Sequence, residues 1–152
     1  MYNVFDVANW FLQKEPMTHK KLQKLCYYAQ AWSLALRSSE IMEDVPFEAW
    51  VHGPVNPELW RECRDFGWNS IDKDFLSDKA NSIDEKDVEL LESVWETYGH
   101  LYGSQLETLT HTEPPWINAR GDVDAFCPSN TVISCNDMKN YYRSVYAGGQ
   151  GD

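Results

Sequence analysis

The chain has no run of about 18 uncharged apolar residues, so no membrane-spanning helix is expected. Its opening "MYNVFDVANW" lacks a basic region, an apolar run and a small-residue cleavage site, the parts of a secretory signal. Basic residues are scarce. Thirteen Lys and Arg face 24 Asp and Glu, for a net charge of −11. A polyanion repels such a surface, so direct nucleic-acid binding is not expected. The four cysteines, Cys26, Cys63, Cys127 and Cys135, form no CxxC pair. They read as reduced thiols rather than a disulfide framework or a zinc site. GxSxG, HExxH and phosphate-cradling glycine loops are also missing.

Apolar and aromatic residues are plentiful. Hydrophobic residues make up 43% of the 152 and aromatic residues 14%, with seven tryptophans. That suffices for one domain with its own core. The acidity is uneven: residues 1–64 are nearly balanced at −1, and residues 65–152 carry −10. The acidic half reads as a solvated face, with attraction of a basic partner as the sharper alternative.

Helical signals recur along the chain. Asn3 caps a first helix ending near Lys14, and Thr18 caps a longer one reaching Arg37. Leu22, Leu25, Cys26, Ala29, Trp32 and Leu36 form the apolar stripe of the second. Lys20, Lys21 and Lys24 crowd its start, where the helix dipole disfavours cations, so an exposed face meeting a partner's acidic surface is one reading of them. Phe47–His52 alternates as a strand, placing Trp50 and His52 on one side. Gly53-Pro54 turns the chain, and Asn56-Pro57 starts a helix running to Phe66. Capping-box pairs Ser82/Glu85 and Ser104/Glu107 open two more helices. Pro115–Ala119 makes a brief turn stopped by Gly121, and Thr131–Ile133 a short extended piece. A last helix turns Met138, Tyr141, Tyr142 and Val145 inward. The expected fold is mainly α: a single helical domain of six to seven helices with a small β-strand or hairpin element. It spans residues 1–146, and 147–152 is a flexible tail.

The candidates for chemistry are His19, His52, His100, His111, the cysteines, and the acid/base pair in "HTE" at His111–Glu113. None has a spacing specific for catalysis. A histidine beside a proline-marked corner usually serves the backbone there. No catalytic residue, metal or cofactor is expected. For Trp50 and His52 two roles stand open, a structural corner or a recognition surface built on an aromatic anchor.

Four blocks then fall into order. They are "MTHKKLQKLCYYAQAWSLAL", "FEAWVHGPVNPELW", "LETLTHTEPPWINAR" and "ISCNDMKNYY". Together they resemble the SocA-like antitoxin domain, or Panacea domain, also carried by GepA-type phage-associated proteins. The resemblance runs from Val4 to about Tyr146. It implies a helical, non-enzymatic antitoxin domain in the cytoplasm of a bacterial or phage-infected bacterial cell. The implied partner is a cognate toxin neutralised by direct binding. The alternatives are an adaptor that delivers the toxin to an ATP-dependent protease, and a phage-encoded protein that binds another host factor. Expected partner contacts are Lys20, Lys21, Lys24, Trp50, His52, Asn56 and Glu58. Nothing in the sequence indicates an oligomeric state.

Overall fold

A computed structural model describes residues 1–43 and 45–150. Seven α-helices and one two-stranded sheet are present among them. Helix α1 (Val4–Leu12) begins at Asn3, whose side chain accepts from the Asp6 amide while Asp6 accepts from the Asn3 amide. This reciprocal pair satisfies two amides that the helix start leaves open. Helix α2 (His19–Arg37) begins at Thr18 and ends at Ser38 in the left-handed conformation.

Helix α2 is the axis of the molecule. It packs on α1, on α4 (Glu85–Tyr98), on α5 (Gly103–His111) and on α7 (Cys135–Gln150). Every residue from Lys21 to Ala31 is buried. The helix is therefore enclosed on all sides, not amphipathic as its apolar stripe suggests. Its polar residues must then find partners inside the protein. Gln30 accepts from the Ile41 and Met42 amides and donates to the Met42 carbonyl. Ser33 donates to the Ser39 carbonyl at 2.7 Å. Leu36, expected in the buried stripe, lies beyond the enclosed stretch and is exposed.

The strand element is a hairpin. Strand β1 (Glu48–Trp50) pairs antiparallel with β2 (Gly53–Val55), with Trp50 opposite Gly53. The turn thus falls at Val51-His52, not at Gly53-Pro54 as the alternation suggests. No non-glycine residue there has positive φ, so the mirror-image two-residue turns are excluded. Gly53, at φ 108°, supplies the left-handed backbone that closes the turn. The expected extended piece near residue 132 lies along the other edge of β1. The Ala49 amide donates to the Thr131 carbonyl and the Ile133 amide to the Phe47 carbonyl.

Helix α3 (Pro57–Cys63) starts at Asn56-Pro57 as expected, then tightens into a 3-10 turn over Arg64–Phe66. Helix α4 starts after Asp84, two residues later than the Ser82 signal suggests. Helix α6 (Pro114–Arg120) stops at Gly121, φ 57°. Its Arg120 is buried and donates to the carbonyls of Ala49, Asp124 and Cys127, fastening the following loop to β1.

Helix α7 buries Met138 and Tyr142 and half-buries Tyr141, but Val145 is exposed. It continues to Gln150, through residues expected to form a flexible tail. Extending an existing helix adds one hydrogen bond per residue, which offsets the glycine cost of about 1 kcal/mol each at Gly148 and Gly149. Of the expected tail, Gly151 and Asp152 lie outside the described residues.

Where α2, α4 and α7 meet, Tyr28 and Tyr142 each donate to Glu113 Oε1 at 2.8 Å, inside a cluster of Tyr27, Tyr98 and Trp32 rings. Burial raises the Glu113 pKa, and the two tyrosine hydroxyls pull it part of the way back. A carboxyl with a raised folded pKa costs stability above that pKa and regains it as pH falls towards the unfolded value. Glu113→Gln keeps an acceptor for both hydroxyls. The variant is expected to be more stable than wild type at pH 8, the gap closing as pH falls through the folded pKa. Urea melts at pH 8, 6 and 5 check this, and a gap that widens on acidification would contradict it.

Candidate functional site

The first and second sequence blocks meet near the start of α2. Gln23 donates to the Asn56 carbonyl at 3.0 Å and accepts from the Asn56 amide at 2.9 Å. Asn56 caps α3 through the Leu59 amide and also donates to the Pro46 carbonyl. The third block joins them: Trp116 Nε1 donates to the Trp50 carbonyl at 2.8 Å, tying α6 to the end of β1. His111 stacks on Trp116 with ring centroids 4.1 Å apart. The Lys24 side chain crosses Gly53: a β-carbon there would lie 2.6 Å from Lys24 Cε and 2.9 Å from Thr110 Oγ1. Residues as much as 71 positions apart in sequence thus lock one another around the hairpin.

Three clefts adjoin one another beside this junction. The first, of about 670 Å³, lies between β1 and the loop Pro128–Asn130 and includes Glu48, Trp50 and His52. The second, of about 340 Å³, is walled by Trp50, Trp60 and Trp68 and floored by Lys20, Gln23 and Lys24. The third, of about 390 Å³, runs past Trp68, Lys20 and Lys21 to Tyr102. Trp50 and His52 are shared by the first two, and Thr18, Lys20 and Trp68 by the last two. The clefts therefore form one row. Trp68 is 81% exposed and Tyr102 75%.

Charge in the row is arranged around Glu107 on α5. Lys20 Nζ lies 2.7 Å and His52 Nδ1 3.2 Å from Glu107 Oε1. Burial alone would raise the Glu107 pKa, but these two partners prevail and hold it below the ordinary carboxylate range. Lys20 also sits over the Trp68 ring, 5.2 Å from its centroid. Burial lowers the His19 pKa, helped by Lys24 and Lys20, and burial lowers that of His111 against the pull of Glu107. Burial pulls Lys24 furthest, down to about 7 from 10.5, with Glu107 opposing the shift and Lys20 adding to it.

The seven residues expected to meet a partner separate here. Lys20, Lys24, Trp50 and His52 converge on the second cleft. Lys21 does not belong to an exposed face: it is 7% exposed and donates to the Gly99 carbonyl at 2.6 Å, with Glu15 at 3.2 Å. Asn56, 3% exposed, is a structural cap. Lys24 is 1% exposed, reached only through the cleft. Glu58 is exposed on the first turn of α3 and lines none of the three clefts. Helix polarity alone suggests that all three lysines are exposed, because it does not reveal that α2 is enclosed.

Trp60, Trp68 and Tyr102 join the row without being among the expected contacts, and Glu107 pairs with two of its residues, Lys20 and His52. Trp68 carries a signal, as a single aromatic in the polar stretch "GWNS" that starts at Gly67. Of the residues considered for chemistry, His52 meets a carboxylate, Glu107. Glu113 of "HTE" is turned into the tyrosine cluster, away from a role with His111. Cys26 and Cys63 are buried, and burial raises both thiols. No group of three or more His, Cys, Asp or Glu that could hold a metal ion exists among the described residues. None of their helices is long and apolar enough to cross a membrane.

These features define a small helical domain whose hairpin and central helix carry an aromatic, partly cationic cleft. The family model described as "Antitoxin SocA-like, Panacea domain" matches residues 22–117, and the chain belongs to that family. It is 33% identical over 128 residues to a protein named Antitoxin SocA from Caulobacter vibrioides (strain NA1000 / CB15N). That match takes in 72% of this chain and 66% of the relative, just under two thirds of its length. No solved structure matches.

Proposed function

We propose that this protein is the antitoxin of a toxin–antitoxin pair and neutralises its toxin by direct, stoichiometric binding, without catalysis. Family membership supports the antitoxin role, as does the similarity to the Caulobacter vibrioides protein named Antitoxin SocA. The observation that favours direct binding is the row of clefts with Trp68 and Tyr102 exposed beside it. Exposed tryptophan and tyrosine beside preformed clefts are the usual anchors of protein interfaces. The site of action is the bacterial cytoplasm, and the partner is a protein rather than nucleic acid, in keeping with the net charge of −11.

Co-expression with the product of the adjacent reading frame tests this. The expected result is suppressed toxicity, a co-purifying complex and an unchanged toxin level. Suppression with falling toxin level, dependent on an ATP-dependent protease, would replace direct neutralisation by the adaptor route. Absence of both complex and rescue would remove the antitoxin reading for that pair.

A further inference from the structure

Five polar side chains are buried on α2: Lys21, Gln23, Lys24, Gln30 and Ser33. Four have partners already described. Lys24 is the exception. No hydrogen bond or ion pair among the described residues engages its Nζ, and the side chain reaches the second cleft. A lysine this deeply buried is costly unless its ammonium meets a counter-charge, and the carboxylate that acts on it, Glu107, is already held by Lys20 and His52.

The rest of the cleft adds to the same field. Thr18, His19 and Lys20 bring the positive end of a 19-residue helix to its rim. Glu107 is the carboxylate nearest these groups, and Lys20 and His52 already occupy it. Lys20 and Lys24 thus share one glutamate, on a chain whose net charge is −11.

We propose that the second cleft is a socket for a carboxylate side chain of the partner protein, carried on an extended segment that lies along the row of three clefts. This rests on the antitoxin reading above. Lys24 would be its counter-charge, and Trp50, Trp60 and Trp68 pack on the residues either side. A polypeptide fits better than an isolated anion because the clefts on both flanks are continuous with the socket through Trp50, His52, Lys20 and Trp68. Among the described residues the first cleft carries Glu48 and no lysine or arginine, whereas in the third Glu15 is paired with Lys21. The complementary segment therefore has a basic residue on the Glu48 side of its carboxylate.

The test uses the full chain with the co-purified toxin. Lys24→Met is expected to weaken the complex at least about 30-fold, the scale for stranding one member of a buried charge pair. Trp68→Ala, at a site too exposed to affect folding, is expected to weaken it about 10-fold. Replacing the toxin's acidic residues singly by Ala should identify one whose effect disappears in the Lys24→Met background. Unchanged affinity for Lys24→Met in a complex that does form overturns the socket and leaves the antitoxin reading standing. If no toxin complex forms, the reading fails, and sodium phenylacetate titrated against the chain alone decides the socket. Saturable quenching of tryptophan fluorescence that Lys24→Met abolishes supports it. Absence of quenching, or equal quenching in the variant, overturns it.

Discussion

Gly53→Ala is expected to destabilise the protein by about 2–6 kcal/mol, a large share of the stability of a domain this size. Two separate effects add. At φ 108° an L-residue is strained by about 1–3 kcal/mol. The new β-carbon would also sit 2.6 Å from Lys24 Cε and 2.9 Å from Thr110 Oγ1, so the Lys24 and Thr110 side chains must both shift to admit it. Overpacking of this kind costs about another 1–3 kcal/mol. Gly67→Ala is the control. Gly67 also has positive φ, 56°, but nothing lies within 4 Å of an added β-carbon, so only the backbone strain of about 1–3 kcal/mol remains. Urea denaturation of both variants checks the difference. Equal midpoints would mean that the Lys24 crossing does not matter. Pairing Gly53→Ala with Lys24→Ala should recover part of the loss, because the nearer obstacle is removed.

Lys24→Met is expected to act in the opposite direction and raise stability at pH 7 by an amount on the order of 4 kcal/mol. Wild-type Lys24 titrates at about 7 in the folded protein against an ordinary value of 10.5, and each pH unit between them is worth about 1.4 kcal/mol. For a base with a lowered folded pKa, the unfolded chain binds more protons between the two values, so wild-type stability rises with pH across that window. Below the folded pKa the full cost is present. The gap between variant and wild type should therefore be largest below about pH 7 and shrink steadily as pH rises towards the ordinary lysine value. Tyrosine and cysteine titrations occur in both proteins and cancel in the comparison. Urea melts across this range check it, and a gap that does not change with pH would contradict the assignment. A single substitution that both stabilises the fold and weakens a complex would show that Lys24 is kept for binding at the expense of stability.

Much of the secondary structure is legible because its signals are local. Asn3, Thr18 and the Asn56-Pro57 pair each mark a helix start through hydrogen bonds or fixed torsions within three or four residues. Gly121 marks a stop in the same way. The hairpin is half legible: alternation identifies β1 but places the turn at the glycine, and the structure puts it at Val51-His52. The glycine closes the turn rather than forming its tip, a distinction made by strand pairing that alternation does not record. The resemblance between motif blocks also points to the correct family. It does not reveal that Gln23, Gly53, Thr110 and Trp116 hold one junction together.

The candidate site is less legible. Parity and helix position single out Trp50, His52 and Lys20, and the structure brings them to one cleft. The same grounds single out Lys21 and Asn56, which prove structural. The difference lies in what packs around α2, which depends on helices far along the chain. Trp68 and Tyr102 reach the row of clefts, and Glu107 reaches Lys20 and His52, only after distant chain segments have met.

For this protein, then, the sequence alone determined which segments are helical, where most of them start and stop, and the acidic net charge that disfavours polyanions. Local backbone geometry and composition suffice for these. Only the tertiary structure decided which polar side chains are enclosed, which of those lack a partner, and which aromatics stand exposed at a cleft. Burial is a property of the whole packing: Lys21 and Lys24, neighbours one turn apart on one helix, differ because Gly99 and Glu15 lie beside the first and an open cleft lies beside the second.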